Sequence, residues 1–214
     1  RQPFNVKNLL AGYWKLGSDP RFLLLALASG IPFNGMFLYV LSAPVFLGEH
    51  LGLLPQQFFW FFILTIGGIM AGAMVSGRVA GKLTPKQQIR NGFVVMLVIG
   101  LLNVLANLLF TAHVAWAMFP IAVFAFGWAM MVPVVTLLVL DLHPDRRGMA
   151  SSLQACIGAS ANGVMAGVIA PLVMHSTLAL AAASLVMLSV GLFAWLWLHR
   201  RWPEIGRVID HPVG

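Results

Sequence analysis

Hydrophobic positions in this chain fall in long unbroken tracts, unlike the alternation of a half-buried strand or the one-sided stripe of a surface helix. Stretches free of Lys, Arg, Asp, Glu and His run over Phe22 to Gly48, Phe58 to Gly77, Phe93 to Ala112, Val114 to Leu140, Met149 to Met174 and Thr177 to Leu198. Each reaches the ~20 residues that cross about 30 Å of hydrocarbon. A bilayer offers the backbone no hydrogen-bond partners and a helix supplies its own, so the pattern predicts an all-α membrane protein with six transmembrane helices. Ahead of them, RQPFNVKNLLAGYWKLG sets Val6, Leu9, Leu10, Tyr13 and Trp14 at helical spacing with Lys7 and Lys15 alongside. That predicts a short amphipathic helix on the membrane face. Asp19 then reads as an N-cap and Pro20 as the first residue of the first span. The expected division is a linker over 1–20, a six-helix domain over 21–200 and a tail over 201–214.

Composition agrees with the pattern: 60% of the 214 residues are hydrophobic and 9% are charged. A soluble domain of this length has no interior large enough for that much apolar surface. Charge adds the orientation. If the six tracts alternate in direction, all 13 Lys and Arg residues fall on one side: Arg1, Lys7, Lys15 and Arg21, then Arg78, Lys82, Lys86 and Arg90, then Arg146 and Arg147, then Arg200, Arg201 and Arg207. The connections on the other side carry Glu49, His50, His113 and His175. The positive-inside rule makes both termini cytoplasmic. The net charge of +7 is thus a topology signal, and no basic patch outside these loops suggests nucleic-acid binding. Cys156 is the single cysteine and lies within a tract, which excludes an intrachain disulfide and a cysteine metal site and reads as a buried, inert thiol. No signal peptide is evident, and a chain that starts at Arg1 looks cut from something longer.

Split into threes, the tracts repeat. The first and fourth hold paired prolines, Pro32 with Pro44 and Pro120 with Pro133; the second and fifth are glycine-rich, as in GGIMAGAMVSG and GASANGVMAG. Two related sets of three helices must run in opposite directions, since three is odd, and this 3+3 inverted repeat is the plan of many secondary transporters. Membrane helices also tolerate proline and glycine for packing reasons alone.

The runs LASGIPFNGMFLYVLSAPVFLGEHLGLLPQQFFWFF, SGRVAGKLTPKQQIRNG and AFGWAMMVPVVTLLVLDLHPDRRGMASSLQACIGA resemble the second half of the major facilitator superfamily, and most closely its bicyclomycin and chloramphenicol resistance (Bcr/CflA) branch of drug:proton antiporters. The resemblance covers the chain to about Trp202 as many moderate matches. Gly81 stands where the stronger copy of the superfamily's basic loop carries aspartate, which points to the weaker second-half copy. The resemblance implies the C-terminal six-helix half of an alternating-access exporter in a bacterial inner membrane, with an N-terminal half, a small lipophilic substrate and protons as partners. It also implies loop or gating roles for Arg78 and Lys82 and, in the tight turn between the fourth and fifth helices, for Asp145, Arg146 and Arg147; a purely anchoring loop is the alternative.

Three faces could meet a substrate. Ser151, Gln154, Gly158, Asn162 and Met165 align on the fifth helix as a polar stripe unsuited to lipid. Phe124, Trp128, Met131 and Val135 form an aromatic and thioether face on the fourth, suited to flat lipophilic molecules. Asn34, Leu38 and Ser42 align on the first, with Tyr39 nearby. In the resembled fold these helices border the central cavity, although helix packing would produce the same stripes. Asn103 and Asn107 read as interhelical bonds. Enzyme readings lack parts: Gly158-Ala-Ser160 could serve as a nucleophile turn of an intramembrane protease, but no tract carries a histidine base. No Cys, His or carboxylate cluster offers metal ligands, no cofactor motif is found, and the Asn-Pro-Ala turns of six-helix water channels are missing. A same-fold transporter of another solute, by uptake or export, remains the other reading.

Overall fold

The computed structural model describes residues 5–207. Among them the chain is helical: α1 (Val6–Gly17), α2 (Pro20–Leu41), α3 (Phe59–Val79), α4 (Pro85–Leu109), α5 (Val114–Ala117), α6 (Phe119–Leu142), α7 (Arg147–Val164), α8 (Ala170–Val173) and α9 (Thr177–Arg201). Six helical segments are long and apolar enough to cross a membrane. They are α2, α3, α4, α6, α9 and the composite of α7 and α8, joined by a π-helical turn over Met165–Ile169. Asp19 caps α2 by accepting from the backbone of Arg21 at 3.0 Å, with Pro20 in the first turn, as its sequence predicts.

Proline sets where the first span ends. The tract to Gly48 does not stay one α-helix: α2 stops at Leu41 and a π-helical turn runs over Pro44–His50. Pro44 has no N–H to donate and its ring crowds the preceding turn, so the wider winding takes over.

The helices pair as two interlocked sets of three. α2 packs on α9 as α6 packs on α4, and α2 crosses α6 at the centre. Burial ranks the same way, with 56% of the α2 window and 44% of the α6 window enclosed against 11% for the fifth span. Glycines permit the close crossings: a Cβ on Gly191 of α9 would collide with the Pro32 ring, and one on Gly92 of α4 would lie 2.8 Å from the Gly127 carbonyl of α6. The starts and ends of α2 and α6 meet head to tail, since Asp19 before α2 touches His143 at the end of α6. The repeat is therefore inverted. The prolines that match by helix position are Pro20 with Pro120 near the starts and Pro32 with Pro133 in the interiors. Pro44 has no counterpart in α6.

α1 docks through an edge of its surface. Gly12 and Leu16 are buried, Met149 of α7 sits against Gly12, and the Tyr13 hydroxyl lies 2.8 Å from Ser152 Oγ. The apolar face of Val6, Leu9, Leu10 and Trp14 stays exposed.

Candidate functional site

Three helices enclose a cleft of about 360 Å³: α2 contributes Ser29, Gly30 and Phe33, α6 contributes Trp128 and Val132, and α7 contributes Gln154, Gly158 and Asn162. Ser29 organises it. Its carbonyl accepts the Trp128 indole Nε1–H at 2.9 Å, and its hydroxyl accepts from the Gln154 amide at 3.4 Å while donating to the carbonyls of Leu25 or Ala26 at 3.3 Å. The indole is thereby fixed with its ring across Phe33, centroids 4.9 Å apart, and Phe33 stacks on Phe37 at 5.4 Å. The lining carries two rings, Phe33 and Trp128, with Phe37 stacked on Phe33 outside it, and the amides of Gln154 and Asn162. The Asn162 side chain makes no hydrogen bond among the described residues, so its amide can both accept and donate.

Among the described residues, no Asp, Glu, Lys, Arg or His lines this cleft. It is suited to neutral molecules with an aromatic or apolar body and hydrogen-bonding groups at one edge.

The structure separates the candidate residues into two groups. Trp128, Gln154 and Asn162 border the cleft. Asn34, Tyr39, Ser42, Phe124 and Met131 are enclosed within the helix bundle. Tyr39 and Phe124 border a void of about 10 Å³, room for roughly one water. Tyr39 Oη accepts from Asn103 Nδ2 at 3.0 Å, and its ring meets Phe46 edge-on. The side chains of Asn34 and Ser42 have no hydrogen-bond partner among the described residues.

Sequence reasoning missed Ser29 and Phe33, which lie on a different face of α2 from the Asn34, Leu38 and Ser42 stripe. A polar stripe marks what avoids lipid, and a helix at the centre of a bundle avoids lipid nearly all round. Ser29 and Phe33 one turn apart beside Gly30 were the available signal. Two further expectations are corrected. Cys156 is exposed, because it lies on the α7 surface turned away from the other helices. Asn107 bonds within its own helix, to the backbone and side chain of Asn103 at 2.8 and 3.1 Å, leaving Asn103 alone to cross to α2.

At the basic end of the bundle, Arg147 holds Asp141 at 2.7 Å across the turn after α6, and Arg146 approaches Asp145 at 3.7 Å. Arg78 and Lys82 are exposed beside Gly81, whose φ of 79° favours glycine at this turn. A half-buried cluster, also missed in the sequence, joins Asp19 with Arg21 and His143, each at 3.0 Å. Burial of Asp19 alone would raise its pKa; hydrogen bonds from the Arg21 side chain and backbone and from His143 outweigh burial and hold the carboxyl below its usual range.

A bundle of this form, with helices inverted about a central pair and an uncharged cleft on one flank, is half of a secondary transporter fold. The model of the Major Facilitator Superfamily matches residues 2–166, and the chain belongs to that superfamily. It is an integral, multi-pass membrane protein, and its family is one of transporters. A comparison with curated proteins finds no match.

Proposed function

We propose that this chain is the C-terminal half of a Bcr/CflA-type exporter that moves lipophilic drugs out of a bacterial cell across the inner membrane in exchange for protons. Both termini lie in the cytoplasm in this reading, supported by the confinement of all 13 Lys and Arg residues to one end of the chain's alternating spans. The observation that carries the substrate class is the cleft itself, with the rings of Phe33 and Trp128 and the amides of Gln154 and Asn162 in its lining, and no charged side chain there among the described residues. Rings stack flat apolar bodies, and the amides orient them.

Coupling to protons needs a group that gains and loses a proton as the site alternates. The cleft supplies none, so in this reading the carrier belongs to an N-terminal half, against which this bundle rocks. The enclosed candidates Asn34, Tyr39, Ser42, Phe124 and Met131 then act by holding α2 and α6 in place. Export assays on the complete transporter test the substrate class. Trp128→Ala is expected to shift the export of flat aromatic drugs relative to aliphatic ones by roughly 10-fold at unchanged membrane abundance, and Gln154→Ala to shift it less. A uniform loss for every drug that follows lowered abundance would refute the cleft as the binding surface.

A further inference from the structure

Away from the cleft, at the end of the bundle that carries the basic residues, the segment after α9 folds back on the first turn of α4. Gly206, at a φ of 85°, turns the chain so that its carbonyl accepts from the Lys86 backbone N–H at 3.3 Å. The two segments enclose a hollow of about 330 Å³ bordered by Thr84, Lys86, Gln87, Arg90, Gly206 and Arg207. Three of these six are cations. None of the three pairs with a carboxylate among the described residues, where every ion pair lies instead around α2, α6 and the turn that follows α6.

The neutral members offer no counter-charge. Thr84 Oγ1 accepts from the Gln87 backbone at 3.2 Å and Gln87 Oε1 accepts from the Thr84 backbone at 3.0 Å, so the two close a capping box on each other. With Pro85 lacking an N–H, the first backbone donors of α4 are occupied, and the field in the hollow comes from the side chains and the positive end of α4. Cations gathered around a solvent-filled hollow repel one another, and an anion with several oxygens relieves that repulsion while accepting from each. The hollow lies at the level where a span enters the membrane, since α4 and α9 are both spans and Lys86 and Arg207 flank their ends.

We propose that this hollow is a binding site for a phosphate group, with Lys86, Arg90 and Arg207 as its ligands. Two sources present that chemistry at a membrane surface: the headgroup of an anionic phospholipid and free phosphate. The site shares no residue with the cleft and does not depend on what the cleft carries.

Native mass spectrometry of the full chain in a neutral detergent tests it, with dihexanoyl phosphatidylglycerol, dihexanoyl phosphatidylcholine and inorganic phosphate titrated separately. Phosphatidylglycerol or phosphate is expected to be retained over phosphatidylcholine. The pair Lys86→Gln and Arg207→Gln should weaken that retention by roughly 10- to 30-fold. The pair Lys7→Gln and Lys15→Gln, which removes the same charge outside the hollow, should change it less than about 2-fold, and the charge-preserving pair Lys86→Arg and Arg207→Lys should restore most of it. Retention of phosphatidylglycerol that excess phosphate does not displace assigns the site to lipid; equal retention of phosphate alone assigns it to the free anion. Equal loss in both glutamine pairs, or loss in neither, would overturn the proposal.

Discussion

The inverted repeat makes two seams equivalent: α3 against α6, and α7 against α2. They are built differently. In the first, Gly68 and Gly72 bring α3 so close that a Cβ on either would collide with the carbonyl of Ala122 or Phe126 on α6. In the second, Gly158 and Gly163 of α7 and Gly167 of the π-helical turn have nothing among the described residues within 4 Å of a notional Cβ, and the cleft opens between the helices. Glycine content alone does not distinguish them. Its spacing against the partner helix does: the i, i+4 pair Gly68 and Gly72 presents one flat strip to α6, while the seam of α7 and α2 is held at its middle by the single long bond from Gln154 to Ser29. One seam is closely packed, and the other leaves the cleft open.

Gly72→Ala against Gly158→Ala should give the largest contrast. At Gly72 the added methyl meets the Phe126 carbonyl and lies 2.9 Å from Ala129 Cβ, so α3 must shift outward. A cost of about 2 to 3 kcal/mol is expected there. At Gly158 the methyl enters open space, and relief of glycine's low helix propensity should leave stability unchanged or higher by up to about 1 kcal/mol. Reversible unfolding of the detergent-solubilised chain measures both; equal losses would break the distinction between the seams.

The sequence carried much of this fold, and of the cleft it carried Trp128 and the α7 stripe but not the α2 side. Six spans, the cap at Asp19 and the inverted repeat follow from tract length, local chemistry and an odd helix count, which are properties of single helices. The repeat was found through Pro32 with Pro44 against Pro120 with Pro133, yet Pro20 and Pro32 occupy the matching helix positions. Proline spacing survives a shift in register, so it reported the repeat without its alignment. The cleft depends on which side of α2 faces a gap, a property of three helices together. The stripe on α7 was legible because α7 is peripheral, with other polar positions scarce. On α2, enclosed on most sides, Asn34 and Ser42 pointed inward as readily as Ser29 pointed to the cleft.

What holds α2 while α7 stands away from it includes the contact of Asp19 with Arg21 and His143, which ties the start of α2 to the end of α6. The folded-state pKa of Asp19 lies below its ordinary 3.8. Its contribution is therefore present above that value and is lost as pH falls through the lower folded value. Thermal midpoints measured from pH 6 down to about pH 2 should fall more steeply for the native chain than for Asp19→Asn across that acid window. Parallel curves would show that α2 is held by apolar packing alone.

The smallest expected effect lies inside the bundle, at Tyr39. Its hydroxyl receives one bond from Asn103, and the ring stays packed on Phe46 without it. Tyr39→Phe removes the acceptor and leaves the Asn103 amide beside a void of about 10 Å³ that a water can enter. Interhelical hydrogen bonds of this kind in membrane proteins average about 0.6 kcal/mol, because the same groups also find partners in the unfolded chain within the membrane. A loss of that size, with the pattern of transported solutes unchanged, places Tyr39 with the residues that fix α2. A changed transport pattern at unaltered stability would instead mean that the hydroxyl meets substrate in another conformation, and that the enclosed face of α2 opens during transport.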